Sequence, residues 1–228
     1  MQIYMIGCGG IGGWLAQCLA KTLTKDDVLT LMDKDKLEPH NLDRQLFDEN
    51  DVGLLKAEAM SRYLRTARCK VKVIPEFLGA DLDFEFDSNS FIFVGADNHP
   101  ARFKSLNLCD ATNSSCIVAA NGYECAEAYY YNWQWEGMTR DPREYYPELA
   151  TDHEDDPLSP PCTGEVLESA PQLAVANMDA ASYAMWLFWF WTQKAPELRS
   201  EEARATSPVH VTSTAGRSRV ITLGEYNV

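Results

Sequence analysis

"YMIGCGGIGGWLAQCLAK", Tyr4 to Lys21, leaves a short apolar run, passes through Gly7, Gly9, Gly10, Gly12 and Gly13, and enters a helical pattern. Residues 2–6 read as a strand, 11–22 as a helix and 28–32 as a second strand ending at Asp33, which is a βαβ opening. Glycines at such a turn let backbone amides approach phosphates at the helix N-terminus, where the helix dipole favours negative charge. Asp33 follows Gly12 by 21 residues, where a carboxylate can accept hydrogen bonds from ribose hydroxyls. These features alone fit a nicotinamide or flavin dehydrogenase best.

Working outward, residues 53–65 have helical spacing, 71–74 form a third strand, 91–96 a fully apolar buried one, 98–110 a helix and 116–120 another strand. Strands alternating with helices predict a doubly wound, mainly parallel, Rossmann-like sheet. Beyond Gly122 the character changes. Residues 128–135 suggest an antiparallel strand, 136–161 an aperiodic, mobile loop rich in Pro, Asp and Glu, 171–193 an apolar helix, and 209–223 a terminal hairpin around Ala215-Gly216. The expectation is one domain over 1–228: a nucleotide-binding half, 1–125, followed by a crossover loop, helix and hairpin, 126–228.

The residues after Asp33 change the choice of nucleotide. "DKDKLEPHNLDRQ", 33–45, is followed by Lys56 and by "VGADNHPAR", 94–102. Asn41, Arg44 and Lys56 bring one amide and two cations toward a triphosphate, and Asp97 ends a central parallel strand where a magnesium ligand would lie. Hydride transfer needs no such group, whereas nucleotidyl transfer uses cations to neutralise developing charge. ATP with Mg²⁺ is therefore expected. Asn98 is expected to cap the helix that follows.

Taken together, G-x-G-G-x-G, D-x-D, N-x-x-R-Q, a lone lysine and D-N resemble the adenylation domain of the ubiquitin-activating-enzyme-like superfamily, which includes the ThiF/MoeB adenylyltransferases. The resemblance spans roughly residues 1–125. It implies ATP-dependent activation of the C-terminal carboxylate of a ubiquitin-like protein ending in glycine, in a homodimer, with an E2-like conjugating protein as a further partner. By position it implies a nucleotide site of Gly7, Gly9, Gly10, Gly12, Asp33, Asp35, Asn41, Arg44, Gln45, Lys56 and Asp97, with Asp33 on the ribose. Arg44, Lys56 and Asp97 would be catalytic, and Asp97 would hold magnesium. "PPCTGEVLESAPQ", 160–172, resembles the segment that supplies the thioester cysteine in activating enzymes, which would be Cys162; Cys125 is the rival nucleophile. A peptide or a modified tRNA base is an alternative carboxylate substrate within the superfamily.

Composition narrows the partners. Hydrophobic content of 46% and charged content of 24% in 228 residues are ordinary for a folded domain. A formal charge of −14 repels nucleic acid and anionic lipid. The aromatic run 183–191 is far shorter than the roughly 20 residues a membrane span needs, so it reads as core or subunit interface. Seven cysteines without a C-x-x-C pair argue against a disulfide framework and a structural zinc. Cys18, Cys109 and Cys116 fall in helix or strand, where buried inert thiols are the default. The strand at the start leaves no room for a leader, which points to the cytoplasm.

Overall fold

The computed structural model describes residues 1–76, 78, 84–138, 140–151, 174–198, 200–214 and 217–227. Its centre is an eight-stranded sheet in the order β3-β2-β1-β4-β5-β6-β7-β8. β1 (Gln2–Ile6), β2 (Val28–Met32), β3 (Lys70–Ile74), β4 (Phe91–Val94) and β5 (Ser115–Asn121) run parallel. β6 (Cys125–Asn132), β7 (Pro208–Thr214) and β8 (Arg217–Thr222) add antiparallel strands. The expected Rossmann-like sheet with antiparallel C-terminal strands is thus the observed fold. β4 is Phe-Ile-Phe-Val with every residue buried, as a strand covered on both faces must be. β3, at the edge, keeps Lys70 and Lys72 exposed, which blunts pairing with other chains.

Helix α1 (Gly10–Thr22) joins β1 to β2, α2 (Lys56–Tyr63) joins β2 to β3, and α3 (His99–Thr112) joins β4 to β5. After β6 come two short helices, α4 (Pro142–Tyr145) and α5 (Glu148–Thr151), then the long α6 (Ala174–Trp189) and the short α7 (Glu201–Ala205). α1 and α6 pack together on one face of the sheet, with Phe188 of α6 set edge-on against Phe91 and Phe93. α3 covers the opposite face, where Tyr131 of β6 donates to Asp110.

Sheet order reverses between β1 and β4. β2 and β3 lie to one side and β5 onward to the other, which opens a crevice at the C-terminal ends of the two central strands. No helix among the described residues is long and apolar enough to cross a membrane.

Three expectations are corrected. The sixth strand spans Cys125–Asn132, and Trp133–Trp135 instead forms a 3-10 turn whose Gln134 amide is capped by the Asn132 side chain. Part of the expected aperiodic stretch 136–161 is ordered: Asp141 caps α4 by accepting from Arg143 N at 3.0 Å, and Pro142 suits the first helical turn. Arg143 then reaches Asp110, Asn107 and the Tyr131 hydroxyl at 2.6–2.7 Å, pinning the segment to α3 and β6. Charge pairing supplied an order that apolar periodicity does not report. Cys18 is exposed, because it lies on the outer side of α1, whereas Cys8, Cys69, Cys109 and Cys116 are buried. Residues 152–161 and the Ala215-Gly216 turn lie outside the described residues, although β7 and β8 pair antiparallel as a hairpin requires.

The aromatic run divides between core and surface. Phe188 is buried and Trp191 stacks on Tyr130 at 4.3 Å, while Trp186 is 64% exposed.

Candidate functional site

The glycine loop tolerates no side chain at its centre. A Cβ at Gly12 would stand 2.0 Å from Gly7 O. Gly7 holds φ +88°, and a Cβ there would meet Ala96 N at 2.9 Å, so the β1–α1 and β4–α3 turns are pressed backbone to backbone. Gly95 N donates to Ile6 O and Gly7 N to Met32 O, which locks the loop across three strands. Gly9, the N-cap of α1, offers no side chain to the first-turn amides, and among the described residues no side-chain cap is present. Those amides lie at the positive end of a 13-residue helix, which favours an anion.

Asp33 closes the floor of the crevice. Its Oδ2 accepts from Cys8 N at 2.7 Å and its Oδ1 from Asp35 N at 2.8 Å. A carboxylate has about four acceptor positions, so capacity remains on both oxygens. Burial pushes the Asp33 carboxyl up, against the Cys8 amide, the Lys56 charge and the Asp35 amide, which pull it down. Lys56 opens α2, where its backbone N–H donates to Asp35 O at 2.8 Å and its Nζ pairs with Asp35 Oδ2 at 3.0 Å. Asp35 is 59% exposed and Lys56 only 13%, so an incoming anion could take the lysine over from its partner.

The remaining predicted residues arrive from two turns. Asn41 is buried inside the 38–45 turn and accepts from Glu38 N at 3.1 Å, organising the turn rather than facing outward. Arg44 is half-buried, with its Nη1 on His40 O at 3.1 Å. Gln45 lies over the start of α1, its Nε2 3.5 Å from where a Gly9 Cβ would be. Asp97 is exposed just past β4, and Asn98 caps α3 by accepting from Ala101 N at 2.9 Å, the cap expected from the sequence. No group of three or more possible metal ligands occurs among the described residues, so Asp97 belongs to no such cluster there.

The glycine loop, Asp33, Asp35, Lys56, Gln45 and the Asp97 turn are therefore neighbours at the C-terminal ends of β1, β2 and β4. Cys162 lies outside the described residues, while Cys125 begins β6 beside the C-terminal end of β5. Burial raises the thiol pKa of Cys8 well above its ordinary value and keeps it protonated beneath the loop.

The sequence reading missed Asn177, whose only signal is a carboxamide inside the alanine-rich 174–184 run. It is 1% exposed on α6 and lies against Gly10. Arg102, Glu127, Tyr146 and His210 were also missed. Arg102 Nε donates to Ala96 O at 3.1 Å behind the Asp97 turn. Glu127 Oε2 lies 3.2 Å from both Tyr146 Oη and His210 Nε2. Only the sheet brings these four together.

Comparisons with known proteins agree with this architecture. The ThiF family model matches residues 1–183. tRNA threonylcarbamoyladenosine dehydratase of Escherichia coli is 35% identical over 96 residues, which is 41% of this chain and 35% of that protein. "Adenylyltransferase and sulfurtransferase MOCS3" of Xenopus laevis is 30% identical over 141 residues, 60% of this chain and 28% of that protein. These matches span about a third of the curated relatives' lengths. The crystal structure of E. coli MccB with ATP superimposes with a TM-score of 0.65 at 20% identity, covering 97% of this chain and 64% of MccB.

Proposed function

This chain belongs to the ThiF family, and from that membership and the crevice geometry we propose that it is an ATP-dependent adenylyltransferase activating the C-terminal carboxylate of a ubiquitin-like protein that ends in glycine. The observation that carries the reading is the uncapped first turn of α1, opening from a loop without side chains directly beside a half-buried Asp33. Phosphate on those amides and ribose on the open acceptor positions of Asp33 is the arrangement such a crevice suits. The solved relative containing ATP and the relative named an adenylyltransferase support the same nucleotide and reaction class.

In this reading the substrate carboxylate forms a bond to the α-phosphorus as the bond to pyrophosphate breaks. Lys56, released from Asp35, and Arg44 offset negative charge on the phosphates, while Gln45 orients the carboxylate beside the helix start. Asp97 would hold magnesium brought by the triphosphate, which usually takes one or two carboxylates, and the ion would neutralise charge on the leaving group. Acyl transfer to Cys162, homodimer formation and a conjugating protein belong to the same proposal. The exposed Trp186 and Trp189 on α6 suit self-association.

Exchange of labelled pyrophosphate into ATP tests the reading, with a ubiquitin-fold protein ending in glycine, a linear peptide and tRNA supplied in parallel. Exchange with the first supports it. Exchange only with tRNA would move the substrate to the modified base that the dehydratase relative's name describes, against the −14 charge. Binding of NADH in place of ATP would return the oxidoreductase reading.

A further inference from the structure

Asn177 joins three segments that are remote in sequence. It is the fourth residue of α6 as described, with its carboxamide wedged against the first turn of α1: a Cβ at Gly10 would stand 2.5 Å from its Nδ2 and 2.6 Å from its Oδ1. The same Nδ2 donates to the backbone carbonyl of Arg44 at 3.3 Å, across 133 positions of sequence. Its Oδ1 is buried without a hydrogen-bond partner among the described residues, as is Oε1 of Gln45. A buried acceptor left unpaired costs stability, typically about 1–3 kcal/mol. An apolar side chain of similar size would fill the volume without that cost, so packing alone does not account for an asparagine here.

We propose that Asn177 is a positioning residue that sets the Arg44–Gln45 turn at its working distance from the glycine loop. The inference rests on the adenylyltransferase reading above. α6 packs firmly on α1 and the sheet, so its first turns form a rigid base. From that base one carboxamide fixes the backbone of Arg44, and with it the side chains of Arg44 and Gln45, relative to the uncapped amides of α1. In that reading AMP uses only the glycine loop and Asp33, whereas the outer phosphates of ATP also need Arg44. Loss of the tether should therefore separate the two nucleotides.

The test is titration of Mg-ATP and of AMP against the full chain and its variants, with thermal unfolding followed in parallel. Asn177→Ala should weaken ATP by about three- to tenfold, the worth of one hydrogen bond, and leave AMP unchanged. Hydrogen exchange at the 41–45 backbone amides should accelerate without nucleotide. Asn177→Leu fills a similar volume without the donor, so it should keep the fold and lose the same ATP affinity as Asn177→Ala. Equal loss of ATP and AMP, or unchanged ATP affinity, in folded Asn177→Ala and Asn177→Leu proteins would overturn the assignment while leaving the adenylyltransferase reading in place. Wild type that binds neither nucleotide would overturn both.

Discussion

Cys8 and Asp33 are joined across the first two strands: the backbone N–H of Cys8 donates to Asp33 Oδ2 at 2.7 Å, so the glycine loop and the acidic end of β2 form one rigid corner. Asp33 is held on its other oxygen by Asp35 N, and Asp35 holds Lys56, which links the corner to α2.

That linkage has a pH signature. Burial raises the Asp33 carboxyl, and Lys56 is among the groups opposing the rise. Nucleotide binding that uses the Asp33 anion weakens as pH falls through this raised value. Lys56→Met removes a cation that favours the anion, so the acid limb of ATP affinity should move to higher pH, in addition to an overall loss of affinity. ATP titrations from about pH 4 to 8 in both proteins read the shift; superimposable acid limbs would exclude the coupling.

Glycine at position 12 is required by packing rather than by backbone angle. Gly12→Ala should cost about 3 kcal/mol and abolish nucleotide binding, because the Gly7 carbonyl cannot retreat without moving β1. Gly53, at φ +88° with nothing within 4 Å, provides the contrast: alanine there should cost about 1 kcal/mol and spare binding. Urea unfolding of both variants makes the comparison.

Arg143 should matter more to stability than any exposed ion pair. Its side chain is 13% exposed and serves Asp110 and the nearly buried Asp141, and Arg143→Ala takes the cation from both, leaving Asp110 with the Tyr131 hydroxyl and Asp141 with backbone amides. A loss of about 3–5 kcal/mol is expected. Arg219→Ala breaks a pair whose arginine is 71% exposed and screened by water, and should cost far less. Equal effects in chemical denaturation would mean that the 140–146 segment contributes little to folding.

Glu127 predicts an acid limb of stability. Burial pushes its carboxyl up, but the His210 hydrogen bond and charge, Arg102 and Tyr146 together hold it below the ordinary glutamate value. A depressed folded pKa contributes stability that is present above the unfolded value and lost as pH falls through the folded one. Glu127→Gln should therefore be less stable than wild type near neutrality, with the difference shrinking as the solution is acidified. Denaturation at several pH values from about 3 to 7 reads it, and a constant difference would count against the assignment.

Much of the site was legible because its constraints are local. β1 and β2 follow from apolar runs and α1 from periodicity, within a residue or so of the observed ends, and the glycine loop from the need for backbone approach at a strand-to-helix turn. The fully apolar β4 predicted a strand covered on both faces. Asn98 was legible as a cap because its partner, Ala101 N, is three residues away.

Contacts between distant segments carry no such local mark. Asn41 reads as a ligand in the linear motif, which does not report that its side chain also accepts from Glu38 N within its own turn. Arg143 sits in a stretch without apolar periodicity, and its order comes from carboxylates on α3 and beside α4. Asn177 is one of several polar residues in α6, unmarked until α6 lies across α1 and places it against Gly10 and Arg44. By itself, the sequence determined the family resemblance, the doubly wound order of elements and the loop suited to phosphate, since each depends on spacing within a turn or a strand. Only the tertiary structure decided which polar groups meet behind that loop, because a hydrogen bond between residues more than a hundred positions apart depends on how helices pack on the sheet, and periodicity along the chain does not encode that distance.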